Sequence, residues 1–334
     1  MAKSQSNLPT IADVADTAEV SVTTVSRVLN GGLNVAPEKR ERVRVAIEAL
    51  DYRTQRSART LAGGSSGLVL LLHGGLIDPF LARFQDESIR ACNDAGRHLV
   101  VDRLDVDSAN WLDDLERLIA SLRPDGVVLT GALCSAPAVR GTLRLRRIPF
   151  VRLMPGGDAQ EAGSVTTDEV SAGEALAQYL LDDGHRRIGY LAHAGRFVDA
   201  CQRGVGRALR ASDLSLEPQR VLYASDVDVA QDIRTLLSRE DAPTALVAAS
   251  LSLAVQAHAI AKFAGRPVAL ACFDPDGLSR GQELPFPVLK RPIAKLASEA
   301  IAALLDPATP AGDDRGRTRR VRNPAIVASA AICD

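Results

Sequence analysis

Aromatic residues are scarce in this chain: one Trp, four Tyr and seven Phe among 334 residues, beside two Met and five Cys. The cysteines (Cys92, Cys134, Cys201, Cys272 and Cys333) are odd in number, widely spaced and lack any metal-ligand pairing. That excludes a disulfide framework and a zinc site, and leaves reduced thiols with no metal and no cofactor as the reading. No apolar run approaches the roughly 20 residues that cross a bilayer; the longest, such as residues 68–72, have the length of a buried strand. The polar amino terminus runs straight into patterned sequence, so a cytoplasmic protein with no signal peptide and no membrane partner is expected. Net charge is missing too: 40 Lys and Arg stand against 41 Asp and Glu, a balance of −1. Overall charge therefore does not point to indiscriminate polyanion binding.

Charge is instead local. Between residues 39 and 59, Lys39, Arg40, Arg42, Arg44, Arg53, Arg56 and Arg59 outnumber Glu41, Glu48 and Asp51. A modest positive field on an otherwise neutral chain suits sequence-directed binding to nucleic acid. The length accommodates a small module plus one or two mid-sized domains. The hydrophobic fraction of 46%, with 25 Gly and 17 Pro, is that of a soluble globular protein.

The most informative stretch is residues 10–30, TIADVADTAEVSVTTVSRVLN. Ile11, Val14, Ala15 and Ala18 recur at helical spacing, a break follows at residues 19–21, and a second stripe runs through Val22, Val25, Val28 and Leu29. Thr10 is placed to cap the first helix and Ser21 the second, whose start also carries Thr23 and Thr24. Two short helices joined by about three residues bury both stripes only by crossing, which is the helix-turn-helix arrangement. Its second helix would present its first turn to base edges in a major groove. There Val22 and Thr23 are placed for a thymine methyl or a base acceptor, Arg27 for a guanine or a phosphate, and Ser26 for a phosphate. An ordinary helical hairpin fits the periodicity alone.

The residues themselves go further, because this stretch resembles the headpiece of the lactose/galactose repressor family, T-I-x-D-V-A-x-x-A-x-V-S-x-x-T-V-S-R-V-L-N. Thr10, Ile11, Asp13, Val14, Ala15, Ala18, Val20, Ser21, Thr24 to Arg27, Val28, Leu29 and Asn30 all match. The resemblance implies a DNA-binding headpiece over residues 8–53, completed by a third helix within residues 35–50, with Thr10, Ser21 to Thr24, Ser26, Arg27 and Asn30 at the DNA, and a hinge helix and linker over 54–66. It also implies that the linker folds when two chains pair over DNA, with Leu61 wedged into the minor groove and Arg59 beside it. The prolines that relatives often carry near Thr54 and Arg56 are absent here; a plain tether is the alternative.

From Gly67 onward, strand-like and helix-like segments alternate. Strands are expected at 68–72, 98–101, 126–130, 149–153, 164–166, 187–191, 219–223, 245–248 and 268–273. The intervening helices include 80–95, 111–122, 170–182, 203–212, 229–238 and 253–263. Such alternation implies parallel sheets with helices on both faces. The fold class expected is therefore an all-α headpiece followed by a two-lobed α/β body of three-layer α/β/α lobes, similar to periplasmic binding proteins. By that resemblance the first lobe takes residues 67–158 and 292–317, and the second takes 159–291 and 318–334.

Ligands of open parallel sheets sit beyond the C-terminal strand ends, here between the lobes. His73 to Phe80 resembles a family segment ending N-P-F-F, with Asp78 in place of the asparagine and Phe80 available to stack on a sugar; alternatively Asp78 only starts a helix. Val165 to Asp168 matches V-x-x-D, whose aspartate helps close the cleft. Residues 184–190 are near the family's G-H-R-R-I-A-F, which makes His185 a structural residue. Arg203 falls on the arginine of S-x-x-R-x-x-G, which donates paired hydrogen bonds to ligand hydroxyls. Cys201 beside it has no base that would make it a nucleophile.

Ser250 and Leu251 stand where relatives read A-x-N-D, so a sugar-anchoring carboxylate is missing. Asp274 remains from G-F-D-D, and Arg291 replaces the glutamine of V-R-Q-P. The effector residues expected are thus Asp78, Phe80, Asp168, Arg203, Ser250, Asp274 and Arg291. The extra cation at 291 shifts the expectation toward a sugar acid or sugar phosphate, although Asp78 argues for a neutral sugar.

The function expected is a DNA-binding transcription regulator, a repressor of a carbohydrate or sugar-acid operon. It would bind a near-palindromic operator as a homodimer and answer to a small hydroxylated effector. Residues 317–334 lack the heptad repeat of a tetramerisation helix. An enzyme is disfavoured because the glycines at 63–67 precede a strand and carry no lysine. A periplasmic solute-binding protein is disfavoured by the headpiece.

Overall fold

The computed structural model describes residues 9–29, 35–50, 65–154, 163–193, 199–224, 228–279, 281, 283–306 and 319–321. The chain divides into two compact units, residues 1–66 and 67–334.

In the first unit, α1 (Ile11–Thr17), α2 (Val22–Leu29) and α3 (Pro37–Ala49) share one small core of Val14, Ala15, Ala18, Val25, Val43 and Ala46. Helix α1 begins in a capping box. The Thr10 hydroxyl accepts from the Asp13 N–H at 3.3 Å, and the Asp13 carboxylate accepts from the Thr10 N–H at 2.7 Å. Its end is a Schellman turn, in which the Val20 N–H donates to the Ala15 carbonyl and the Glu19 N–H to the Asp16 carbonyl. Glu19 occupies the left-handed position, at φ 50°, where glycine is usual. Arg42 of α3 secures this corner by donating from Nε and Nη2 to the Ala18 carbonyl at 2.9 and 2.6 Å, and from Nη2 to the Glu19 carbonyl at 2.6 Å. Pro37 starts α3, where its missing N–H would have no partner anyway.

The second unit is built on two parallel sheets. The first contains β1 (Leu68–His73), β2 (His98–Arg103), β3 (Gly126–Thr130), β4 (Phe150–Leu153), β5 (Ser164–Thr167) and β11 (Arg319–Val321), in the order β11-β5-β4-β3-β1-β2. On one face Val69, Leu71, Val128 and Val151 pack with α4 (Pro79–Asp94) and α11 (Ile293–Leu305). On the other, Leu70, Leu72, Val127 and Leu129 pack with α5 (Trp111–Leu122) and α6 (Pro137–Leu145). The near-continuous apolar run of β1 thus reflects burial on both sides.

The second sheet runs β10-β9-β8-β6-β7, from β6 (Ile188–His193), β7 (Val221–Ala224), β8 (Ala245–Ala248), β9 (Ala269–Asp274) and β10 (Val288–Lys290). Helices α7 (Glu169–Asp182) and α8 (Asp199–Ala211) cover one face. Helices α9 (Val229–Ser238) and α10 (Leu251–Phe263) cover the other. Both lobes have the expected three layers.

The lobe boundaries differ from those expected. Strand β5, read as opening the second lobe, pairs with β4 in the first sheet, and Arg319–Val321, assigned to the second lobe, pairs with β5 there. The sequence restart near residue 160 marks a repeated strand–helix scheme, whereas the crossing itself comes one strand later, between Thr167 and Glu169. The return falls at residues 290–293, as expected, because α11 packs on the first sheet. Strand bounds agree to within two residues, and β3 and β8 agree fully; β7 starts two residues late, at Val221, after a 3-10 turn over Pro218–Arg220.

Candidate DNA-binding face and inter-lobe site

Helix α2 turns Val25 into the small core and leaves Ser21, Val22, Thr23 and Arg27 exposed, with Ser26 and Thr24 half-buried. Val22, Thr23, Ser26 and Arg27 lie within one another's i+3 or i+4 reach and form a face opposite Val25. Val22 is 45% exposed. An apolar side chain held outward at the first turn of a short helix has no folding role and is free for an apolar contact such as a thymine methyl. Ser21 caps the helix by accepting from the Thr24 N–H at 3.2 Å. Its Oγ also lies 2.8 Å from Thr23 Oγ1 and 2.9 Å from Thr24 Oγ1. These hydroxyls are held in place before any partner arrives.

Thr10, expected at the DNA, has its hydroxyl engaged in the capping box, where it also donates to Asp13 Oδ2 at 2.7 Å. Two of the basic residues are engaged within the headpiece. Arg42 is directed to backbone carbonyls, and Arg44 pairs with Glu41 at 2.7 Å and Glu48 at 2.9 Å. Asn30, Arg59 and Leu61 lie outside the described residues.

Between the lobes of the second unit, the sequence-selected side chains take several different roles. Asp78 caps α4, accepting from the Leu81 N–H at 2.8 Å. Asp168 caps α7, accepting from the Ser171 N–H at 3.1 Å, and lies 3.8 Å from Arg320. Ser250 caps α10 through the Leu253 N–H and lies 3.2 Å from Ser252 Oγ. Arg203 is exposed on α8. His185 serves as structural support, its Nδ1 3.2 Å from Thr244 Oγ1. Cys201 is no nucleophile: burial pushes its thiol up to about 12.

Two of the expected effector residues are engaged by the protein itself. Asp274 is fully buried and accepts from the Leu278 N–H at 3.0 Å, the Ser279 N–H at 2.8 Å and the Ser279 hydroxyl at 2.6 Å. Both its oxygens are engaged in closing the 274–279 turn. Arg291 is no open cation either. Its Nη2 lies 2.5 Å from Glu169, the two side chains are 11% and 14% exposed, and its Nη1 donates to the Pro275 carbonyl at 3.1 Å. The guanidinium sits 5.1 Å from the Phe80 ring centre and 5.4 Å from that of Phe273. Phe80 also stacks with Phe84 at 6.0 Å, so its ring is already engaged.

Hydroxyl and imidazole groups gather at the ends of strands and helices of the second sheet. His193 Nε2 lies 3.4 Å from Ser252 Oγ, itself next to Ser250, and Tyr223 donates to Gln202. Sequence reasoning passed over Glu169, Phe273, His193 and Ser252. Glu169 read as an ordinary first-turn acid, and His193 and Ser252 carry no motif; their positions at strand and helix ends were the available signal. A separate surface hollow of about 430 Å³ lies at the sheet edge among Asp102, Arg103, Asp114 and Arg117, away from these groups. No group of His, Cys, Asp or Glu suited to a metal occurs among the described residues, and none of their helices is long and apolar enough to cross a membrane.

A helix-turn-helix with an outward-facing second helix, in one chain with a two-lobed parallel α/β body, defines a DNA-binding regulatory protein. Residues 10–55 match the family model for bacterial regulatory proteins of the lacI family, and residues 177–328 that for a periplasmic binding protein-like domain. The maltose regulon regulatory protein MalI of Escherichia coli K12 is 30% identical over 74% of this chain and 73% of its own. Catabolite control protein A of Priestia megaterium is 29% identical over 71% and 72%. The lac repressor dimer solved with operator and an anti-inducer shares the fold at a TM-score of 0.76, with 20% identity over 97% of this chain and 100% of that one. The chain belongs to the lacI family of bacterial regulatory proteins.

Proposed function

We propose that the protein represses a carbohydrate-catabolic operon by binding a near-palindromic operator as a homodimer in the cytoplasm, under the control of a neutral hydroxylated small molecule held between the lobes. The DNA-binding part rests on one observation, the exposed Val22, Thr23, Ser26 and Arg27 face of α2. Two such faces on a two-fold dimer read the two halves of a palindrome. A change in lobe arrangement on ligand binding alters how the paired linkers meet the DNA, provided the ligand favours one arrangement over the other.

The ligand class rests on charge compensation. Arg291 is paired with Glu169 and Asp274 is engaged in its own turn, while His193, Ser250, Ser252 and Tyr223 bring imidazole and hydroxyl groups to the strand and helix ends. Hydroxyl donors and acceptors suit the hydroxyls of an uncharged sugar, to which Arg203, exposed on α8, is a further donor. A maltose regulon regulator and a catabolite control protein among the relatives support a carbohydrate context. Titration calorimetry against neutral mono- and disaccharides, aldonic and uronic acids and sugar phosphates checks this reading. Tight binding of a neutral sugar is expected, and tight binding confined to an anionic ligand overturns it.

A further inference from the structure

We infer that Arg291 is a strut between the two lobes, positioned by Glu169 and seated on Phe80, that holds the lobes in their present arrangement without any small molecule. Three groups of the second lobe fix the guanidinium from their side. Glu169 takes Nη2, the Pro275 carbonyl takes Nη1, and the Phe273 ring lies 5.4 Å away. The Arg291 N–H also donates to the Asp274 carbonyl at 3.0 Å, which ties the main chain to the same turn. Held this way, the planar cation meets the first lobe at Phe80, on the first turn of α4, with its centre 5.1 Å from the ring centre.

A neighbouring contact joins the lobes at the same place. Arg83, three residues further along α4, packs on Gly277 of the 274–279 turn. A methyl group at Gly277 would come 3.0 Å from Arg83 Nε and 3.3 Å from Ile293 Cδ1. The Nε atoms of Arg83 and Arg291 are both buried without a hydrogen-bond partner. Leaving a buried donor unmade is unfavourable, so Arg291 is kept here by ring contact and the Glu169 pair more than by a full set of hydrogen bonds. A desolvated cation over a ring face suits that role.

The strut also decides what a ligand meets. With Arg291 over it, Phe80 is no stacking platform, and a small molecule is directed to the hydroxyl and imidazole row of the second lobe. The strut does not depend on which ligand that is. Hydrogen exchange by mass spectrometry on the full-length protein, with no small molecule added, tests it in residues 74–84 and 274–279. Arg291→Gln and Phe80→Leu each remove the same contact. Each is expected to raise exchange in both segments by about 2- to 30-fold, the range a cation–π contact supports. The double variant is expected to show no more than the larger single effect. Phe80→Leu leaves the Glu169–Arg291 pair intact and carries the test if Arg291→Gln does not fold. Exchange unchanged in Phe80→Leu, or single effects that multiply in the double variant, overturns the inference.

Discussion

Gly173 of α7 and Gly204 of α8 stand so close that a methyl group on Gly173 would fall 2.0 Å from the Cys201 carbonyl oxygen, and one on Gly204 would fall 2.0 Å from the Val170 carbonyl oxygen. Backbone meets backbone, which no side-chain adjustment relieves. Alanine in a helix interior gains roughly 1 kcal/mol over glycine in propensity, but overpacking of this kind costs about 1–3 kcal/mol or more. The clash wins. Gly173→Ala and Gly204→Ala are each expected to lower the urea midpoint of the α/β body, and a midpoint at or above that of the parent would show that the helices separate freely.

The left-handed Glu19 makes the opposite prediction. An L-residue at φ 50° is strained by roughly 1 kcal/mol where glycine is not, so Glu19→Gly should slow exchange of the α1 and α2 amides. Arg42→Ala, which leaves the Ala18 carbonyl without its two donors, should speed it. Faster exchange in Glu19→Gly would mean that the Glu19 side chain, 3.9 Å from Arg42, matters more than its backbone; at that distance and exposure the pair contributes little.

Arg27→Ala should weaken binding to a DNA site selected from a random pool by about 5- to 150-fold if the arginine reads a base, with ligand heats unchanged. Anisotropy titrations on the selected site and on a scrambled one measure this. Equal loss on both sequences would place Arg27 on a phosphate instead, and no loss on either would remove it from the interface.

A pH effect is expected at the edge of the first sheet. Hydrogen bonds from Lys295 and then Arg319 hold the Glu299 carboxyl below the usual carboxylate range. A depressed folded-state value stabilises the fold above the unfolded value, near 4.5, and that contribution disappears as pH falls through the folded value. Glu299→Gln should therefore flatten the decline of melting temperature between about pH 5 and pH 3. Parallel curves for the variant and parent would remove Glu299 from the acid response.

Much of the fold was legible because the signals were local. Thr10 and Ser21 cap the helices that they were expected to cap, and α5 spans the residues that its periodicity gave. The lobe assignment of β5 and β11 was not legible, because a short parallel strand carries nothing that names its neighbour; the partner is chosen by long-range packing. The site was readable only as a set of positions. Asp274 and Arg291 sit at strand ends, where ligand groups belong, but whether such a side chain faces a ligand or its own protein depends on residues far away in sequence. Here Glu169 lies 122 positions from Arg291 and settles its charge.

The pairing of β11 with β5 also sets an order of assembly. Among the described residues the second lobe is continuous from α7 to β10, so those strands and helices have left the ribosome before α11 is made. The first lobe starts earlier yet lacks α11 and its outer strand until synthesis is almost over, with the buried faces of Val151, Val165 and Leu153 uncovered in the meantime. The lobe begun first gains its last described strand and helix late, and a premature stop between residues 290 and 318 strips one or both from that lobe, the one joined in sequence to the headpiece.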